Sequence, residues 1–124
     1  MALAALIRSE VAKRLAGFAV FTESQTQYGS FPAVLIETPR IKSDESAANY
    51  TKQIELVVTV MLKSKKEALL EVEKLCDQIQ SKLQKSLSNT LYHQWQETTF
   101  EQSMEQEQPL VIAKLYYSIL IEGN

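Results

Sequence analysis

The chain has 124 residues, with 13 Lys or Arg against 15 Asp or Glu and a formal net charge of −2. That length suits one domain, residues 1–124, which buries roughly two thirds of its unfolded surface and needs no disulfide or metal to build a core. A 45% apolar and 23% charged composition argues against disorder, and the near-neutral balance argues against a dedicated nucleic-acid binder, though not against a channel that DNA merely passes through.

The lone cysteine, Cys76, rules out an internal disulfide and fits a reducing compartment. No apolar run approaches the roughly 18 residues of a membrane span. Met1 to Gly17 carries Arg8, Lys13 and Arg14 among apolar residues, somewhat like a targeting peptide. Glu10 interrupts it and no cleavage site is evident, which favours an amphipathic first helix.

Leu3, Leu6, Ile7, Val11, Leu15 and Phe18 fall on one helical face, so a helix is predicted over residues 2–16 with Gly17 as its C-terminal cap. Val20 and Phe21 begin a short strand. Phe31 to Thr38 reads as another, bounded by Pro32 and Pro39, since proline donates no ladder hydrogen bond. Arg40 to Asn49 is polar and of mixed charge, the pattern of a loop.

Tyr50 to Lys63 gives the clearest strand. Ile54, Leu56, Val58, Val60 and Leu62 share one face, and Val57 and Met61 add apolar positions to the other. Fully extended it would reach roughly 45 Å, longer than a small domain is thick, so one end is expected to project as a hairpin arm. Ser64 and Glu67 have the spacing of a capping box, predicting a helix over residues 65–87 with an apolar stripe from Leu69 to Leu87. Two strands close the chain, Leu91 to Met104 and Leu110 to Ile121. An acidic, glutamine-rich connection separates them, and their close spacing suggests a hairpin. The order α-β-β-β-α-β-β predicts an α+β domain, a mixed, mostly antiparallel β-sheet packed with two α-helices.

Little in the chain points to chemistry. His93 is the single histidine and shows no catalytic partner by spacing. Cys76 lies in the apolar stripe of the second helix, the place of a buried structural thiol. Three glycines cannot form a phosphate-binding loop, and no His, Cys or Asp cluster has metal-ligand spacing. Glu101, Glu105 and Glu107 read as a solvated acidic turn. Tyr28, Tyr50, Trp95 and Tyr117 lack interleaved basic residues, which favours packing over base stacking. No cofactor is expected, and the chain is not expected to be an enzyme. The strand with apolar residues on both faces has two explanations: a partner surface, or helices covering both faces of the sheet.

Two stretches, Pro32 to Arg40 (PAVLIETPR) and Glu107 to Ser118 (EQPLVIAKLYYS), occur in an order and chain length that resemble the tail terminator proteins of long-tailed phages. That family includes the minor tail protein U group of lambda-like phages. The family's final turn often carries a glycine where this chain has Glu105-Gln106-Glu107.

The resemblance implies a structural role in the virion tail, with assembly in the bacterial host cytoplasm. Such proteins form a six-membered ring on the head-proximal end of the tail tube. The ring ends tube polymerisation and presents a surface for the head–tail connector protein, while DNA only passes through its lumen. The expected partners are therefore further copies of the chain, the tail tube protein and the connector, with no membrane. Arg40, Lys42, Asp44 and Glu45 offer both signs of charge and are the candidate assembly contacts. The competing readings are a head–tail connector or tail completion protein and, from a different class, a small ligand-binding regulatory α+β domain.

Overall fold

The computed structural model describes residues 2–25, 28–43, 51–103 and 109–122. Its elements are α1 (Leu3–Arg14), β1 (Ala19–Phe21), β2 (Ala33–Ser43), β3 (Thr51–Lys63), α2 (Ala68–Lys82), β4 (Tyr92–Ser103) and β5 (Leu110–Glu122). The strands form one five-stranded sheet in the order β1-β2-β3-β5-β4. Only the β1–β2 pairing is parallel among them. This is the α+β architecture, in the element order, that the sequence predicts.

The apolar alternation of β3 decides how the layers stack, because successive side chains of a strand point to opposite faces. Ile54, Leu56, Val58, Val60 and Leu62 join Val34 and Ile36 of β2 and every second residue of β5 from Val111 to Ile121 in one core. Ile7 and Val11 of α1, Leu15 at its C-terminal cap, and Val72, Cys76 and Ile79 of α2 close over that same core. Both helices therefore cover one face of the sheet. Helices on both faces, one of the two explanations for the doubly apolar strand, are not what the fold uses. At one end of the opposite face, Tyr28, Ala33, Leu35, Met61 and Leu110 form a smaller cluster with Phe21 and Phe31 against it. There the Lys63 ammonium lies over the Phe31 ring, 5.6 Å from its centroid.

Three local expectations are corrected. The second strand does not stop at Pro39 but runs on to Ser43, so Arg40 to Ser43 are strand and not loop. A register shift between Glu37 and Arg40 absorbs the proline. Among the described residues β1 pairs only with Ala33 to Leu35 and nothing else flanks the outer edge of β2 at Pro39, so its missing N–H interrupts no ladder there. The capping box does not form: Ser64 N–H donates instead to the Pro109 carbonyl at 3.0 Å, prolonging the sheet. The helix starts only at Ala68, after Glu67 in the left-handed region at φ 65°. Finally, α2 ends at Lys82 and not at residue 87, although Leu83 and Leu87 stay buried in the core. Gly17 has φ +112°, a conformation that its lack of Cβ makes accessible just beyond α1. The rest of the polar loop to Asn49, Tyr50 and the acidic turn Glu105-Gln106-Glu107 lie outside the described residues.

A polar clamp joins the two ends of the helical layer. Arg14 pairs with Glu10 one turn before it at 2.8 Å and donates to the Ser86 carbonyl at 2.7 Å and to the Lys85 carbonyl. The Glu10 carboxylate also accepts from Ser88 N–H at 3.0 Å. The clamp ties α1, which lies over β2, to the segment carrying the chain from α2 to β4. Arg14→Ala removes its centre and leaves Glu10 and two carbonyls short of a donor. A loss of about 1 kcal/mol is expected, since only the Glu10 pair is partly buried and the bonds to the two carbonyls are exposed, to be measured as a shift in urea midpoint at unchanged m-value.

Candidate assembly surface

On the helix-free face the register sets residues in rows across four strands. Lys42, Gln53, Leu120 and Tyr92 form one row, and Arg40, Glu55, Ser118 and Gln94 the next. Glu37, Val57, Tyr116 and Glu97 form a third. A cleft of about 310 Å³ opens here, walled on one side by Arg40 and Lys42 and on the other by Gln96 and Glu97. Its floor includes Gln53, whose amide donates to the Ser118 hydroxyl, and Tyr116.

The structure thus brings Arg40 and Lys42 together on β2 and leaves Asp44 and Glu45 outside the described residues. Arg40 reaches Glu55 at 3.8 Å, but its side chain is 69% exposed, so this pair contributes little to stability. Lys114 meets Glu101 at 3.7 Å on the same face. Thr59 is buried at the middle of this face, flanked by Leu35 and Lys114 in register.

The sheet has two unlike edges. On one side, β2 is unpaired beyond Leu35 among the described residues, and this stretch carries Arg40, Lys42 and the half-exposed Ile41. On the other side β4 pairs through β5 alone among the described residues. It presents Glu97 and Glu101 toward the bare face, in register with Tyr116 and Ile112. Trp95, Thr98 and Phe100 lie on the helical face, in register with Tyr117, Leu115 and Ala113. Tyr92, Trp95 and Phe100 are each close to half exposed, large apolar area for one edge strand. Sequence reasoning noted Trp95 but missed Glu97 and the role of this strand as an edge. Its weak alternation, aromatic residues set among Gln, Glu and Thr, was the available signal.

His93 is half-buried, its Nε2 meeting the Leu83 carbonyl and its ring 6.2 Å from that of Tyr117. It ties β4 to the end of α2. A second cavity of about 360 Å³ lies beside it, between Gln80 of α2, Gln84 just past the helix, and Trp95 of β4. Among the described residues no group of three His, Cys, Asp or Glu side chains is placed to hold a metal ion. No helix there is long and apolar enough to cross a membrane.

Burial pushes the Cys76 thiol up to about 11, with the nearby Asp77 and Glu73 carboxylates adding to the effect. Burial likewise raises the Tyr117 hydroxyl to about 12, with Cys76 as a second cause. A neutral thiol is a poor nucleophile, consistent with its place in the core. Both groups hold their protons longer when folded than when unfolded. Their contribution to stability is therefore complete below the ordinary thiol range and is lost as pH rises through 11 to 12. Alkaline titration of unfolding should show stability falling by about 2 kcal/mol through the thiol alone, and Cys76→Ala should make that fall shallower. Cys76 should also resist alkylation at neutral pH until the chain unfolds.

Comparison with protein-family models and with curated proteins finds no match to this chain.

Proposed function

We propose that this chain is a ring-forming structural subunit of a long-tailed phage, a tail terminator that caps the head-proximal end of the tail tube. The observation that carries the reading is the twelve-residue β4 edge, unpaired on its outer side among the described residues, with its half-exposed aromatic residues, a surface suited to contact with another protein. The two stretches that resemble tail terminators, Pro32 to Arg40 and Glu107 to Ser118, give the assembly its class. On this reading six copies close on the tube end. They halt addition of tube subunits and offer the connector its seat, while DNA passes through the lumen without a dedicated binding site. The protein then resides in the virion tail after assembly in the host cytoplasm, and it binds rather than catalyses.

Deletion of the gene from its parent phage, followed by electron microscopy of the lysate, tests this. Headless tails with overlong tubes are expected. Normal tails on full heads would overturn the assembly reading altogether, and tails of correct length that fail to attach would replace it with a head–tail connector. In the intact phage, the double charge reversal Arg40→Glu with Lys42→Glu should lower the yield of joined particles. The melting temperature of the purified protein should stay unchanged, because both side chains are exposed strand-edge positions.

A further inference from the structure

We infer that the β4 edge of one subunit receives the β2 edge of the next copy, Arg40 against Glu97 and Ile41 against Trp95. This deepens the ring reading and rests on it, naming the two surfaces by which neighbouring subunits meet. Three observations on the two edges carry it.

The first is strand direction. From β2 through β3 and β5 to β4 there are three antiparallel steps, so β2 and β4 run in opposite directions. A neighbour related by rotation about an axis to which the strands are tilted, as in any closed sheet, would place its β2 antiparallel to β4, continuing the alternation of the sheet. Such a contact joins two different surfaces, the kind that closes into a ring.

The second is chemistry matched on both faces at once. Toward the bare face, β2 offers the exposed Arg40 and β4 offers Glu97. Toward the helical face, Ile41 is 53% exposed and Trp95 is 47% exposed. Opposite charges and apolar side chains set across two strands each stabilise a pairing.

The third observation fixes the register. With rows level, Glu37 would face Glu97, a like-charge contact that disfavours pairing. A stagger of one row, of the kind that any closing sheet requires, removes it. Glu37 then faces Thr99, Arg40 faces Glu97, and Ile41 faces Trp95. Pro39 and the register shift beside it confine backbone pairing to the stretch from Arg40 onward. The internal Arg40–Glu55 pair, long at 3.8 Å and exposed, does not hold Arg40 back from an external partner.

The test uses two single-cysteine-addition variants of the full chain, Arg40→Cys and Glu97→Cys, treated with a short bismaleimide at the highest soluble concentration. Cys76 is buried and stays unlabelled. Mixing the two variants should give a cross-linked species several-fold more abundant than either variant gives alone, whereas self-association of the unaltered chain, which keeps both charges, should weaken at about 1 M salt, where the Debye length is about 3 Å. Cross-linking of Glu97→Cys to itself would show β4 meeting β4 and overturn the proposal, as would no cross-link in the mixture. Charge exchange gives a second reading. Arg40→Glu and Glu97→Arg should each abolish self-association, measured by sedimentation, and the double variant should restore it. The single tryptophan should shift its emission to the blue only where association occurs. The gene-deletion phenotype answers separately: overlong tubes without this cross-link would keep the terminator and discard the interface.

Discussion

The fold depends on the ladder between β3 and β5. All thirteen residues of each strand pair without a register shift, from Thr51 with Glu122 to Lys63 with Leu110. Pairing of that length satisfies the backbone groups of both strands in the middle of the molecule, where water is excluded. It also fixes which side chains face the helices, because slipping by one residue would turn Ile54 to Leu62 to the wrong face. The position of α2 follows from the same ladder: Ser64 continues it to Pro109, and the helix starts only where that pairing stops.

From this centre outward the sheet becomes progressively less self-sufficient. β2 is covered by β1 for three residues and then open, and β4 is held on one side only among the described residues. α1 and α2 cover the middle of one face but leave Ile41, Trp95 and Phe100 at its margins half exposed. The Glu10–Arg14 clamp and the His93–Leu83 contact hold the helical layer to the chain leading into β4. The margins are thus firmly positioned although they are not themselves buried.

Much of this was legible in the residues. Periodicity located β5, whose burial alternates cleanly, and the apolar runs located β3 and both helices, although Leu6 of the predicted α1 face and Leu69 of the predicted α2 stripe stay exposed. What failed was local grammar overruled by longer-range pairing. The capping box of Ser64 and Glu67 was sound as a local motif, yet a sheet hydrogen bond from Ser64 prevailed. Pro39 was a sound strand terminator, yet the strand continued because its neighbour on that side had already ended. The candidate contacts were only half legible. Arg40 and Lys42 drew notice by charge, whereas Glu97 sits on a strand whose exposed aromatic residues blur the alternation, and its nearness to the same cleft arises from pairing across the sheet.

Placing both helices on one side makes the molecule two-sided. Any closed array that continues the sheet from copy to copy has two unlike walls. One is a cylinder of helices, and the other is uncovered strand surface bearing Arg40, Lys42 and Lys114 beside Glu37, Glu55 and Glu97. Whichever wall turns inward sets the bore and its charge, and the other is left to meet the surroundings. With the strand wall inward, a passing polyanion would meet alternating signs at close intervals, which cancel beyond a few ångströms and give it nowhere to stick. Because the helices occupy only one side, no twofold axis in the plane of the sheet relates its two faces, so the sense of the array, which end is up and which side is in, is already written in a single copy.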